Sequence, residues 1–190
     1  MDAERQAVVE RLLGPVLHSV QPWCDRYPIL SRYRTKQAAA FMIIENPALP
    51  VSDIATQTAM AWWAVAFDDV LDRKLLTERD IVKLVKHCAA VSHGSTTRDG
   101  SEHELCDALR GFLNELGTLP HWEAVSPWWV DAFKRFLRGS LREYRWSMHV
   151  WAAEPRRFPT LRQYMRAAQY SIALPWLLLS LLAFSRDPSI

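Results

Sequence analysis

Glycine is scarce in this 190-residue chain, at six positions, and no run of β-branched residues alternates with polar ones. Both gaps argue against a sheet, since half-buried strands read as alternation and their tight turns lean on glycine. Cysteine occurs three times, at Cys24, Cys88 and Cys106. That odd number, widely spaced, fits neither a zinc motif nor a disulfide framework, and the expected compartment is a reducing cytoplasm. Excess charge of one sign is also missing. A formal net charge of +2 creates no field suited to a nucleic-acid backbone. The N-terminal stretch MDAERQAVVERLL lacks the basic start and apolar stretch of a secretory signal. The apolar run from Tyr170 to Phe184 is shorter than the ~20 residues of a membrane span and contains Pro175, so it reads as a buried helix. The six histidines are scattered, and none stands at metal-ligand spacing from an acid or a cysteine.

What the chain does have is apolar bulk. Hydrophobic residues make up 49% of it, with nine tryptophans among them, which implies large apolar faces or a large apolar cavity. The length suits a single domain spanning residues 1–190, and the periodicity is helical almost throughout. The first helix is expected over Ala3–Leu13, stopping at Gly14-Pro15, and the second over Leu30–Ile44, ending before Pro47. A long helix is expected from an N-cap at Ser52 or Asp53 to Asp72. Thr77 opens another, with Glu78 and Asp80 in a first turn where acids are favoured. Residues 92–101 (SHGSTTRDGS) read as a loop, followed by a helix over Glu102–Leu116. Ser126-Pro127 is the expected start of a long helix to Ala153, and Thr160 caps a last one running towards Phe184 with a break at Pro175. The expected fold is all-α.

The chemistry concentrates in AWWAVAFDDVLD, which ends an apolar helix with Asp68, Asp69 and Asp72. Asp68 and Asp72, at i and i+4, share one face roughly 5–6 Å apart. Like charges repel there, and they sit at the negative end of the helix dipole, so the arrangement is costly unless a cation offsets it. Mg²⁺ suits a site of carboxylates completed by water and phosphate oxygens. Ala61, Ala64 and Val65 share that face, while Trp62 and Trp63 flank it and are expected to pack against neighbouring helices. On the later long helix Arg135, Arg138, Arg142 and Arg145 form a stripe away from the apolar face, which reads as a solvated surface.

An aromatic-rich helix ending in DDxxD resembles the first metal motif of class I terpene synthases, of bacterial type, and of the related isoprenyl diphosphate synthases. The stretch WWVDAFKRFLRGSLREYRW…PTLRQYMRAAQYSIALPW resembles the terpene synthase pattern in which a long Trp-containing helix is followed by Pro-x-Leu-x-x-Tyr opening the next. The resemblance implies a terpenoid-synthase-like helical bundle. It makes Asp68 the main Mg²⁺ ligand, with Asp69 and Asp72 ligating or supporting. The family's diphosphate-sensing arginine falls on Ala168, leaving Arg166, half a turn away, as the replacement. The family's linker falls on Ser171 and its small residue on Ile172. Pro175 frees the Ser171 carbonyl, which lies where the family uses a backbone carbonyl to direct ionisation. Phe67, Tyr164, Tyr170 and Ile172 join Ala61, Ala64 and Val65 as expected pocket residues.

The second family motif, Asn/Asp-Asp-x-x-Ser-x-x-x-Glu, has no match in the sequence. The expectation is therefore the N-terminal part of such a fold, truncated before the helix that carries that motif, either as a fragment or as a protein that has lost catalysis. The implied activity is Mg²⁺-dependent ionisation of an allylic isoprenyl diphosphate (geranylgeranyl or farnesyl diphosphate) and cyclisation to a diterpene or sesquiterpene. The alternatives are an inactive helical protein binding a prenyl lipid or a partner, and an isoprenyl diphosphate synthase. An apolar face left by missing helices would favour a homo-oligomer.

Overall fold

The computed structural model describes residues 3–31, 35–73, 76–96, 102–119, 121–151 and 158–171. Among them the regular structure is helical only: α1 (Ala3–Arg26), α2 (Pro28–Ser31), α3 (Thr35–Glu45), α4 (Val51–Asp72), α5 (Glu78–Ser92), α6 (Glu104–Leu116), α7 (Trp122–Trp151) and α8 (Leu161–Ser171). No helix of the described residues is long and apolar enough to cross a membrane. Ile172, Pro175 and the expected continuation to Phe184 lie outside the described residues.

The centre is α4. It is buried around most of its circumference, as an all-round apolar helix requires. It packs against α1, α3, α6 and α7, while α5 lies against α6 and α7. Trp63 anchors this core. Its ring stacks on Phe67 at 5.3 Å and meets Phe133 at 5.3 Å, and Phe133 stacks in turn on Trp129 at 4.8 Å. This aromatic column is the destination of much of the tryptophan content. At the far end of α4, Asn46 donates from its side-chain amide to the Gln57 carbonyl oxygen at 2.9 Å, pairing two buried amides.

Three expected boundaries at prolines need correction. The first helix runs through Gly14-Pro15 and Pro22 to Arg26, because continuing it buries Val16, Val20 and Cys24, spaced four apart on one stripe. That burial outweighs the hydrogen bonds the prolines remove. The α4 N-cap is Pro50, without a side-chain cap bond, and Asp53 sits inside the first turn. The long helix α7 begins at Trp122, one turn before Ser126, and takes Pro127 into its interior. Proline there leaves the Glu123 carbonyl without its amide donor, and the Ser126 hydroxyl donates to that oxygen at 3.3 Å. Serine thus repairs the proline instead of capping the helix.

The helix expected over Leu30–Ile44 is described as α2 and α3, and the one expected from Glu102 begins at Glu104. The starts at Thr77 and Thr160 follow the sequence reading. Thr77 caps α5, its hydroxyl oxygen accepting from the Asp80 amide at 3.2 Å. Thr160 and Gln163 form a reciprocal capping box at the start of α8. The cap of α6 is unexpected: His103 Nδ1 accepts from the Leu105 amide at 3.2 Å.

Candidate metal and diphosphate site

The carboxylates of α4 stand where its apolar run ends. Phe67, Val70 and Leu71 are buried, whereas Asp68 and Asp72 are open to solvent. The helical repeat separates these environments, because residues 67, 70 and 71 face the core and 68 and 72 the adjoining side. Asp69 is half-buried, unlike the pair. It forms an ion pair with Arg73 Nε at 3.0 Å, at the C-cap of the same helix. The structure therefore separates the three acids into an open pair and a third that is already engaged.

The electrostatics single out Asp68. Its carboxyl is pushed up to about 6, first by partial burial and then by the nearby charges of Asp72, Glu143 and Asp69. Glu143 comes from the middle of α7, which packs against α4. Sequence reading missed it, although it is the one acid in the arginine-rich stretch 134–148 and lies beside the buried Tyr144. The concentration of carboxylates around Asp68 is a set of hard oxygen donors, which fits a hard divalent cation such as Mg²⁺.

The other expected site residues fall into three groups. Ala64 and Val65 are half-buried on the Asp68 side of α4, and Ala61 is buried one turn deeper. Phe67 is fully enclosed against Trp63 and Phe136 at 5.3 and 5.7 Å, so it belongs to the aromatic column. Tyr164 and Arg166 are exposed on α8, which packs on α7. Tyr170 and Ser171 continue α8 as helical backbone, and Ile172 is outside the described residues. The arginine stripe of α7 is exposed, with Arg135 paired to Asp131 at 2.7 Å and Arg145 to Glu78 at 2.9 Å. The Arg145–Glu78 pair joins α7 to the first residue of α5, close in sequence to the carboxylate end of α4.

No curated protein matches the chain. A family model described as terpene synthase family 2, C-terminal metal binding, matches residues 59–189, more than half of the chain. The match takes in the second half of α4 with its carboxylates, all of α5, α6 and α7, and the described part of α8. On that match and an all-helical fold with acids gathered at the end of its central helix, the chain belongs to terpene synthase family 2.

Proposed function

We propose that this protein ionises an allylic isoprenyl diphosphate with Mg²⁺ and directs the resulting carbocation to a cyclic terpene. The observation that carries the reading is the open Asp68–Asp72 pair, faced by Glu143, at the edge of an aromatic core. Geranylgeranyl and farnesyl diphosphate are the substrate candidates. The small side chains Ala61 and Ala64 below the acids leave depth for the longer one.

Asp68 and Asp72 would hold the cation, with Glu143 as a further oxygen donor from α7. When bound, Mg²⁺ neutralises charge on the departing diphosphate. Asp69 plays a supporting part, keeping Arg73 against the helix end. Arg166 is the candidate cation for the diphosphate, and the Ser171 carbonyl the candidate dipole for the nascent carbocation. Cleavage of an allylic C–O bond needs no protein nucleophile. The chain's contribution is binding, orientation and exclusion of water.

The test is incubation of the purified 190-residue protein with Mg²⁺ and each diphosphate, with hydrocarbons read by gas chromatography and released pyrophosphate by a coupled assay. A cyclic product that disappears with a chelator and in Asp68→Asn supports the reading. Release of neither hydrocarbon nor pyrophosphate from either substrate would count against it.

A further inference from the structure

A second cluster of ligand-type side chains lies away from these acids, where α5 and α6 pack together. His87 comes from α5, Glu102 from the residues just before α6, and Cys106 from the first turn of α6. One imidazole nitrogen, one carboxylate oxygen and the Cys106 Sγ all lie within 4.8 Å of one another. His87 is ten residues beyond Thr77, which puts it about 15 Å along α5 from the start of that helix.

Two of the three side chains already have the outer partners that a metal ligand needs to hold its direction. The Glu102 carboxylate, only 9% exposed, accepts from Arg110 Nη2 at 2.9 and 3.1 Å. Arg110 is itself fixed by Asp107 at 2.7 Å. Because one guanidinium nitrogen serves both oxygens, lone pairs remain on the carboxylate for a further partner. Cys106 Sγ lies 3.7 Å from Cys88 Sγ, a thiol-to-sulfur contact inside the core.

From this arrangement the geometry points to a zinc site formed by His87, Glu102 and Cys106, with the Cys88 thiol and Arg110 as outer-shell partners. The donor set is one nitrogen, one oxygen and one sulfur. A thiolate and an imidazole suit Zn²⁺, whereas Mg²⁺ takes oxygen ligands in near-octahedral geometry. Zn–S of about 2.3 Å and Zn–N or Zn–O of about 2.0–2.2 Å place tetrahedral donors about 3.3–3.7 Å apart. Separations of no more than 4.8 Å reach that range by side-chain adjustment. Thiolate and carboxylate together balance the dication, and the fourth position is left to water. The ion would tie α5 to the start of α6.

The test uses the full 190-residue chain, stripped of metal and kept reduced, titrated with Co²⁺ and with Zn²⁺ alone. The expected result is one Co²⁺ per chain with a thiolate-to-cobalt charge-transfer band and tetrahedral ligand-field bands, displaced by Zn²⁺ but not by excess Mg²⁺. Cys106→Ser should abolish the charge-transfer band. His87→Gln, at a half-buried position, should weaken Zn²⁺ binding by about tenfold or more. Cys24→Ser serves as the control, because burial and Asp25 push that thiol up to about 11 and it sits on α1 outside the cluster. Absence of the band, a band that survives Cys106→Ser in a protein with intact helical circular dichroism, or one that Mg²⁺ removes would each overturn the site.

Discussion

The indole nitrogen of Trp63 donates to the carbonyl oxygen of Leu105 at 2.7 Å, joining the middle of α4 to the first turn of α6. The bond is buried, and it fixes the height of α6 against the helix that carries the acids. Trp63→Phe keeps a ring against Phe67 and Phe133 but leaves a buried carbonyl without this donor. The expected cost is about 1–3 kcal/mol of unfolding free energy in urea melts. Trp63→Ala, which also opens a cavity, should cost about 3–5 kcal/mol.

The buried amide pair Asn46–Gln57 should behave as a unit. Gln57→Leu strands the Asn46 amide and is expected to destabilise by about 1–3 kcal/mol. Changing both residues to leucine should recover part of that loss, because no buried polar group is then left unpartnered. A double-mutant cycle measured by denaturation, with both single changes costing more than the double change implies, is the predicted pattern.

Asp68→Asn should separate folding from function. In the metal-free protein it relieves repulsion from Asp72, Glu143 and Asp69, so the melting temperature should hold or rise. Product formation should fall on the order of 10²-fold or more. The thermal shift produced by Mg²⁺ with inorganic pyrophosphate should vanish as well. Asp69→Asn should have the smaller effect on that shift, since its carboxylate is engaged by Arg73.

His103 gives the stability a pH dependence with a defined sign. Burial holds its imidazole below the usual 6.5, partly offset by Glu104, and its Nδ1 lone pair caps α6. A depressed histidine means that the unfolded chain takes up the proton first. The contribution is therefore present above about 6.5 and is lost as pH falls through that value towards the lower folded pKa. His103→Asn keeps a capping acceptor that does not titrate. Urea melts at pH 7.5 and 5.5 should show a smaller loss of stability on acidification in that variant than in the parent.

Much of the fold was legible because helical periodicity and capping are local. The starts at Thr77 and Thr160, the end of α4 at Asp72 and the exposed arginine stripe of α7 all follow from residues within a few turns of one another. The misplaced boundaries at Pro15 and Pro127 share one cause. A proline's local penalty is visible in sequence, whereas the compensating burial of Val16, Val20 and Cys24, or the Ser126 hydroxyl on Glu123, depends on the folded surroundings.

The sequence by itself determined that this is an all-helical chain with an i, i+4 acid pair ending an apolar helix, because both are properties of one segment. Tertiary structure alone decided which acids lie near one another. Asp69 turns to Arg73, and Glu143, seventy-five residues from Asp68, bears on that residue because α7 packs on α4. The same holds for His87, Glu102 and Cys106, whose spacing matches no motif until α5 and α6 meet. The reason is physical: a helix sets which of its own residues share a face, but only packing sets what that face meets.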